Sequence, residues 1–446
     1  MDALITRAAS VTGTLQLQAD KAICHRAALL CALADEPTRI APWSSADDCQ
    51  RTLAIVEQLG APVTRTAEGI RITGVGVNGL TPPTGELDCG DSGTTMRLVC
   101  GLLAGQLFTS RLRAGPSLSR RPMRRIVDPL TRMGARMDGR LESQEAYPPI
   151  TIQGRSPLTA IRYPMPVASA QVKSAILLAG LYAQGRTTVI EPVQTRDHTE
   201  QLLRYLGVPI AGPLMPQEGG LSISLEGPVQ HLTSPGRLFI PADPSSAAFF
   251  IVAALLVPGS EIVLPNVALN PSRVYFLKVL ERMGAHLDIQ PSADGSDWES
   301  RGTIIARSSS LRGVQLGAGE TASMIDELPI LMVAACAAEG ETSFPGIREL
   351  TVKESDRLQA MKAGLDALGA NPDVIGQETI TVRKSALRGA VVDSAGDHRI
   401  AMSLAVAGLL AKGETRVRGV ECVAKSLGNF FELLASVVGS SVVNVR

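Results

Sequence analysis

The sequence predicts an α/β protein of two pseudo-threefold domains, each made of three repeats. Three observations carry that prediction: a helix-ending phrase recurs along the chain, an apolar-helix phrase recurs between its copies, and 446 residues exceed one ordinary hydrophobic core.

The first phrase is an amphipathic stretch ending in Leu or Met, then Gly, a small residue and a strand-like run. It reads EQLGAPV around Gly60, TRMGARM around Gly134, RYLGVPI around Gly207, ERMGAHL around Gly284 and DALGANP around Gly369, with a degraded sixth copy at Val438-Gly439. Successive glycines stand 70 to 85 residues apart. Glycine just past a helix suits the left-handed position that closes the last turn, so each phrase marks a helix end.

The second phrase has a polar start and then an apolar run rich in Ala and Leu. Its six copies begin at Asp20, Ser92, Ser169, Ser245, Asp326 and Asp397, for example SAQVKSAILLAGLYAQG and DHRIAMSLAVAGLLAKG. A helix that is apolar all round must be covered on all sides. Each repeat is therefore expected to hold one buried helix beneath strands, with an amphipathic partner outside. Six repeats divide as three and three, and Ser234-Pro235-Gly236 supplies a linker. The expected domains are residues 19–236 and a discontinuous one of residues 1–18 plus 237–446.

Composition narrows the function. Lys plus Arg and Asp plus Glu both number 43, which disfavours a nucleic-acid or membrane protein with a uniformly basic surface, so any basic site must be local. The N-terminus lacks a signal-peptide pattern and no run of about 18 apolar residues follows, so a cytoplasmic protein is expected. Seven cysteines (Cys24, Cys31, Cys49, Cys89, Cys100, Cys336, Cys422) contain no CxxC pair and read as reduced thiols. Five histidines show no HExxH spacing, so no metal is expected. GVGVNG at Gly74, Gly76 and Gly79 matches a dinucleotide-binding pattern, but Leu80-Thr81-Pro82-Pro83 follows where a helix would have to begin, which makes it a loop.

The polar helix starts point to chemistry. A helix N-terminus presents unpaired N–H groups and partial positive charge, and so favours anions. If the buried helices run parallel, six such termini open toward one cleft between the domains, suited to small, highly anionic molecules. Basic residues sit on or near these starts: Lys21, Arg26, Arg97, Lys173 and Arg399. Others lie in RRPMRR (Arg120, Arg121, Arg124, Arg125), at Arg196, in VKESDR (Lys353, Arg357) and at Lys425. Single Lys and Arg residues are usually solvated or paired surface charges, but recurrence at equivalent repeat positions favours substrate contact for about half of them. For RRPMRR a nucleic-acid patch is the rival reading, and overall neutrality favours a phosphate site.

Carboxylates accompany the bases: Asp47 and Asp48, Asp326 and Glu327, Glu354 and Asp356. A substrate hydroxyl needs a base to become a nucleophile, and a carbon that gains a proton needs an acid. Asp326 suits catalysis or helix capping, and spacing alone leaves both open.

Nine phrases in order, DKAICHRA, LDCGDSGTTMRL, RRPMRR, SAQVKSA, QTRDHTE, DELPIL, TVKESDRL, GDHRIAMS and CVAKS, resemble the 5-enolpyruvylshikimate-3-phosphate synthase family over nearly the whole chain. The resemblance implies three β-α-β-α-β-β units per domain with parallel buried helices, an inside-out α/β barrel. It implies transfer of the enolpyruvyl group of phosphoenolpyruvate to the 5-hydroxyl of shikimate 3-phosphate by a monomer with no cofactor. By the same resemblance Lys21, Gly93, Arg121, Gln171, Arg357, Arg399 and Lys425 surround phosphoenolpyruvate, with Arg97 supporting the Gly93 loop. Lys21, Ala22, Arg26, Ser169, Ala170, Gln171, Thr195, Asp326 and Lys353 hold shikimate 3-phosphate. Glu354 corresponds to the proton donor and Asp326 to the acceptor of the hydroxyl proton, with Lys21 and Lys425 as helpers. The family is the target of glyphosate, and Gly93 leaves space at the phosphoenolpyruvate position, so sensitivity is expected.

The chain departs from the family at Gln18-Ala19-Asp20-Lys21-Ala22, where Pro-Gly-(Asp/Ser)-Lys-Ser is usual. The missing hydroxyl at Ala22 implies weaker shikimate 3-phosphate binding. Thr195 replaces the more usual Ser, Glu349 stands where some members have an amide, and Leu427-Gly428 replaces a common Phe-Pro. The sister transferase acting on UDP-N-acetylglucosamine places a Cys before its Arg-Pro, whereas Ala114 to Pro122 here offers only serines. A catalytically silent anion-binding paralogue, suggested by Ala19 and Ala22, is disfavoured because both acid and base are retained.

Overall fold

The computed structural model describes residues 1–215, 219–293 and 298–446. It divides into two units, Ala19–Ile240 and a discontinuous one of Met1–Gln18 with Pro241–Arg446.

Six small mixed sheets share one pattern: a short strand parallel to a second, which pairs antiparallel with a third, which pairs antiparallel with a fourth. In the second sheet these are Leu87–Asp88, Thr109–Arg113, Glu145–Gln153 and Arg136–Glu142. Along the chain the repeat runs strand, buried helix, strand, amphipathic helix, then a two-stranded hairpin. In the fifth sheet the parallel strand shrinks to a single bridge between Gln315 and Ser343. All six sheets are open, so among the described residues no sheet closes on itself as a barrel.

Distant segments complete several sheets. Arg237–Leu238 pairs parallel to Thr38–Ile40, which keeps residues 237–240 with the first repeat, beyond the boundary expected at residue 236. Asp2–Ile5 lies between Thr415–Arg418 and Val443–Val445, and Thr12–Thr14 pairs parallel to Glu261–Ala268. The N-terminal segment thus supplies an inner strand of one sheet and an edge strand of another, both otherwise built from the C-terminal half. That is the physical reason for the discontinuity.

The apolar helices are Lys21–Ala32, Gly93–Ala104 and Ala170–Gly180 in one unit, and Pro244–Leu256, Leu328–Ala337 and His398–Gly408 in the other. Nearly every residue in them is buried, as their lack of a polar face requires. A Cβ added at Gly101 would meet the Ala175 carbonyl oxygen at 2.3 Å, so two of these helices cross with their backbones almost touching. The amphipathic partners are Asp47–Gln58, Arg124–Arg132, His198–Tyr205, Tyr275–Arg282, Arg357–Ala367 and Phe430–Val438. The glycines that end them, Gly60, Gly134, Gly207, Gly284, Gly369 and Gly439, all have φ between +85° and +109°, the conformation that selects glycine there.

The polar starts cap as their chemistry suggests. Asp20, Ser92, Ser169 and Asp397 accept from the N–H of Ile23, Thr95, Val172 and Arg399, each contact worth about 1 kcal/mol. The fourth helix starts earlier than the Ser245 phrase suggests, with Pro244 in its first turn and Asp243 as cap. The fifth is the exception: its N-cap residue is Glu327, which makes no side-chain cap bond.

Candidate active site

In the Ala19–Ile240 unit the candidate residues cluster on three helix starts. Lys21 opens the first buried helix, with its ammonium 3.0 Å from Asp48 Oδ2. One turn on, His25 Nδ1 lies 2.6 Å from Thr52 Oγ1; Thr52 Oγ1 lies 2.8 Å from Thr95 Oγ1, which donates to Ser92 Oγ at 2.7 Å. Ser92 caps the helix that Gly93 begins. This buried chain ties the Lys21 helix to the Gly93 helix. Burial, then Lys21 and Arg26, push the His25 imidazole well below its ordinary range, so it is neutral.

Gly93 owes its identity to two arginines. A Cβ there would lie 2.7 Å from Arg121 Nη1 and 3.3 Å from Arg97 Nη1. Arg97 is buried and donates to Gln171 Oε1 at 2.5 Å, and Gln171 Nε2 donates to Thr94 Oγ1 at 2.9 Å. Gln171 is therefore held by groups of the Gly93 helix. RRPMRR splits by role: Arg121 faces Gly93, whereas Arg124 is exposed and paired with Asp128 at 3.2 Å.

Arg26 and Lys173 are committed inside the protein. Arg26 is 3% exposed and donates to Thr199 Oγ1, the Ala22 carbonyl and Ser174 Oγ. Its guanidinium shapes the Ala22 turn from beneath. Lys173, read from the sequence as a candidate cation, is 1% exposed between Glu191 at 3.1 Å and Glu200 at 2.6 Å. A buried ammonium needs such partners, so the structure makes it a core ion triad. Glu191 also accepts from the Thr195 hydroxyl at 2.6 Å and N–H at 3.2 Å, which ties Thr195 to the Lys173 ion triad.

In the other unit Asp397, at the start of His398–Gly408, is the hub. Its carboxylate accepts from Arg357 Nε at 2.7 Å and Nη2 at 3.3 Å, and also from the Arg399 N–H. Arg357 reaches on to Asp326 Oδ1 at 3.2 Å and lies 3.9 Å from Glu354. Burial works against the guanidinium charge, but Asp397, Glu354 and Asp326 outweigh it and hold Arg357 firmly protonated. Asp326 further faces Lys353 at 3.6 Å and Arg399 Nη2 at 3.9 Å, and its own carbonyl accepts from Arg399 Nη1 at 2.6 Å. Its carboxylate thus faces three cations, while the N-cap position of the following helix is held by Glu327.

Glu354 Oε2 lies 2.9 Å from His398 Nδ1, and Lys425 donates to the Gly396 carbonyl at 3.1 Å. Glu354, Asp397 and His398 bring ligand-type atoms within 4.8 Å of one another. Both Asp397 oxygens already accept from Arg357, so the guanidinium takes the place a metal cation would occupy.

Sequence reasoning gave no role to Asp397, Thr52 or Thr95. The polar starts at Asp397 and Ser92 were visible, but which side chains converge on them depends on long-range packing. Thr52 lies mid-helix in a stretch with no outward sign of its partner.

A family model described as EPSP synthase (3-phosphoshikimate 1-carboxyvinyltransferase) matches residues 5–434. The chain is 44% identical over 439 residues to a protein named 3-phosphoshikimate 1-carboxyvinyltransferase from Geotalea uraniireducens, covering 97% of this chain and 98% of the other. It is 44% identical over 425 residues to one of that name from Methylococcus capsulatus, covering 94% of each. The structure of EPSP synthase from Acinetobacter baumannii superposes with a TM-score of 0.86 at 36% identity, covering 100% of this chain and 99% of that one.

Proposed function

The chain belongs to the EPSP synthase family and transfers the enolpyruvyl group of phosphoenolpyruvate to shikimate 3-phosphate in aromatic biosynthesis, and on that premise we propose how its residues divide the work. Lys21, Gly93, Arg121, Gln171, Arg357, Arg399 and Lys425 receive phosphoenolpyruvate. Lys21, Ala22, Ser169, Ala170, Gln171, Thr195, Asp326 and Lys353 receive shikimate 3-phosphate, with Arg26 shaping the Ala22 turn. Each set draws residues from both units, and Lys21 and Gln171 belong to both sets.

The observation that carries the division of roles is the chain Asp326–Arg357–Asp397 with Glu354 at its edge. The Asp326 carboxylate faces Arg357, Lys353 and Arg399, and a carboxylate positioned in this way is the group assigned to draw the proton from the 5-hydroxyl. The hydroxyl oxygen then bonds to the central carbon of phosphoenolpyruvate as the methylene carbon takes a proton from Glu354. Arg357 and His398 stand beside the carboxylate left behind. The adduct next loses phosphate as the Glu354 carboxylate takes back a methyl proton, and the enolpyruvyl ether forms. Lys21, Arg121, Arg399 and Lys425 stabilise the charge that gathers on the departing phosphate.

The chemistry is acid–base and electrostatic, so the reading requires no metal or cofactor. Burial pushes the Cys31, Cys100 and Cys336 thiols up to about 12, which keeps them protonated and unreactive. Seven buried, unbridged thiols fit a reducing, cytoplasmic compartment, and a balanced charge fits a protein that binds neither nucleic acid nor membrane. No helix among the described residues is long and apolar enough to cross a membrane. The sixfold recurrence of one sheet order supports reading each unit as three copies about an approximate threefold axis, the inside-out barrel arrangement.

The test is phosphate release by the purified protein given phosphoenolpyruvate with either shikimate 3-phosphate or UDP-N-acetylglucosamine, with chelator present throughout. Release with shikimate 3-phosphate alone is expected. Release only with the UDP-sugar would reassign the acceptor, and silence with both in folded protein would make it a binding paralogue.

A further inference from the structure

The outer faces of five sheets follow a charge rule that the first sheet breaks. Where charged residues lie directly opposite on neighbouring strands, they pair by sign except at one hairpin tip: Asp88 with Arg113 and Arg186 with Glu226 in the same unit. Glu261 with Arg307 and Glu341 with Arg383 do so in the other. These four make ion pairs at 2.9, 3.2, 2.6 and 3.3 Å. In the sixth sheet Arg418 lies between Asp2 and Asp393. A like-charged pair at a hairpin tip, Glu142 and Glu145, is relieved by Arg140 and the Arg124 N–H.

In the first sheet three arginines stand in one row. Arg237 is opposite Arg39, and Arg39 is opposite Arg71, on three consecutive strands. Their strand neighbours Leu238, Thr38, Ile40, Ile70 and Ile72 are buried, so alternation turns all three arginines outward. Like charges directly opposite are destabilising. Glu68 pairs with Arg39, and among the described residues Arg71 and Arg237 have no ion-pair partner. The row borders a concavity of about 530 Å³ whose lining includes all three arginines, Pro37 and Glu68, a size in the range of small-ligand sites.

We infer that this face is a binding site for a small polyanion carrying two or more linked phosphate groups, separate from the catalytic residues. The row spans two inter-strand spacings, about 10 Å, which is more than one phosphate group can bridge. Planar guanidinium forks suit phosphate oxygens, and three arginines against one carboxylate leave a surplus of positive charge for the ligand. An inorganic oligophosphate and the phosphate chain of a nucleotide offer the same chemistry. The lining contains no aromatic residue on which bases could stack, which argues against a single-stranded nucleic acid.

The experiment uses the full chain, titrated calorimetrically with tripolyphosphate, ATP and inorganic phosphate at constant ionic strength. Wild type is compared with Arg39→Gln and with the triple variant Arg39→Gln/Arg71→Gln/Arg237→Gln, so that binding at the catalytic residues is common to all. Tripolyphosphate is expected to show a component that weakens about tenfold in the single variant and vanishes in the triple, with enolpyruvyl transfer unchanged. ATP matching tripolyphosphate would identify the phosphate chain as the recognised part, and tighter ATP binding a nucleotide. Without anion at low salt, Arg39→Gln should melt higher by on the order of 1–4 °C, because the middle arginine faces both others. Undiminished tripolyphosphate binding in the triple variant, a lower melting point for Arg39→Gln, or an oligonucleotide outcompeting tripolyphosphate would each overturn the assignment.

Discussion

Asp397 grips Arg357 with both carboxylate oxygens, at 2.7 and 3.3 Å, while one of the same oxygens accepts the Arg399 N–H at 2.9 Å. One buried carboxylate thus caps a helix, orients a guanidinium and, through it, fixes the distance to Asp326. Asp397→Asn keeps the shape and one acceptor but removes the charge facing a buried cation. Breaking such a pair costs about 3–5 kcal/mol, and the retained amide acceptor argues for the lower end. The urea midpoint should fall accordingly, and the KM for phosphoenolpyruvate should rise because Arg357 loses its orientation. An unchanged midpoint would remove Asp397 from the hub.

Glu354→Gln tests the proton donor. The amide preserves size and can still face His398 and Arg357, but it has no proton to deliver to carbon. Turnover should drop by at least the 10²–10⁴ typical of losing a positioned acid, while substrate affinity measured by fluorescence or calorimetry changes little. Full activity would take Glu354 out of that role.

Gly93→Ala reads the contact with Arg121. The added methyl would meet Arg121 Nη1 at 2.7 Å, the far end of a flexible side chain, so the helix survives and the guanidinium moves. A displacement costing about 1.4 kcal/mol of binding raises the KM for phosphoenolpyruvate about tenfold. Glyphosate, expected to inhibit the parent enzyme, should inhibit the variant less, with the KM for shikimate 3-phosphate unaltered. Equal KM values for phosphoenolpyruvate would mean that Arg121 does not act there.

The sequence made the architecture legible because each repeat repeats its own physics. Helix-ending glycines need a positive φ, and Gly60 through Gly439 all have one; helices without a polar face must be covered, and they are. The long-range strand pairings were not legible, since nothing in DALI or TGT near the N-terminus says that these segments pair with residues around 417 and 262. Within the site, residue type announced the cations but not their commitments. Lys173 and Lys21 look alike on paper, and only packing shows that Glu191 and Glu200 enclose the first while the second opens a helix.

That distinction can be measured at Lys173. Lys173→Met removes the cation and leaves Glu191 and Glu200 buried together, which should cost about 3–5 kcal/mol. Adding Glu191→Gln and Glu200→Gln should recover most of the loss, because a neutral triad needs no partner charge. Denaturation midpoints of the single and triple variants decide the matter. A single variant of normal stability with a raised KM would return Lys173 to the substrate.

His25 should give the fold a pH dependence of defined sign. Burial, with Lys21 and Arg26 nearby, holds its imidazole well below the ordinary value near 6.5. As pH falls through 6.5 the unfolded chain therefore takes up a proton that the folded chain refuses, and stability declines by up to about 1.4 kcal/mol per pH unit until the folded value is reached. Above that range this group contributes no slope. His25→Asn keeps a polar atom near the position of Nδ1, within reach of Thr52, but cannot titrate. Absolute stability of the variant will differ because the ring is lost from a fully buried site, so the informative quantity is the change in unfolding free energy between pH 7 and pH 5.5 for each protein. The wild type should lose more than the variant over that interval, since carboxylate contributions are common to both. Equal losses would mean that His25 takes up its proton in the folded chain, and the hydrogen-bond chain from His25 through Thr52 and Thr95 to Ser92 would then have to work with a charged imidazole.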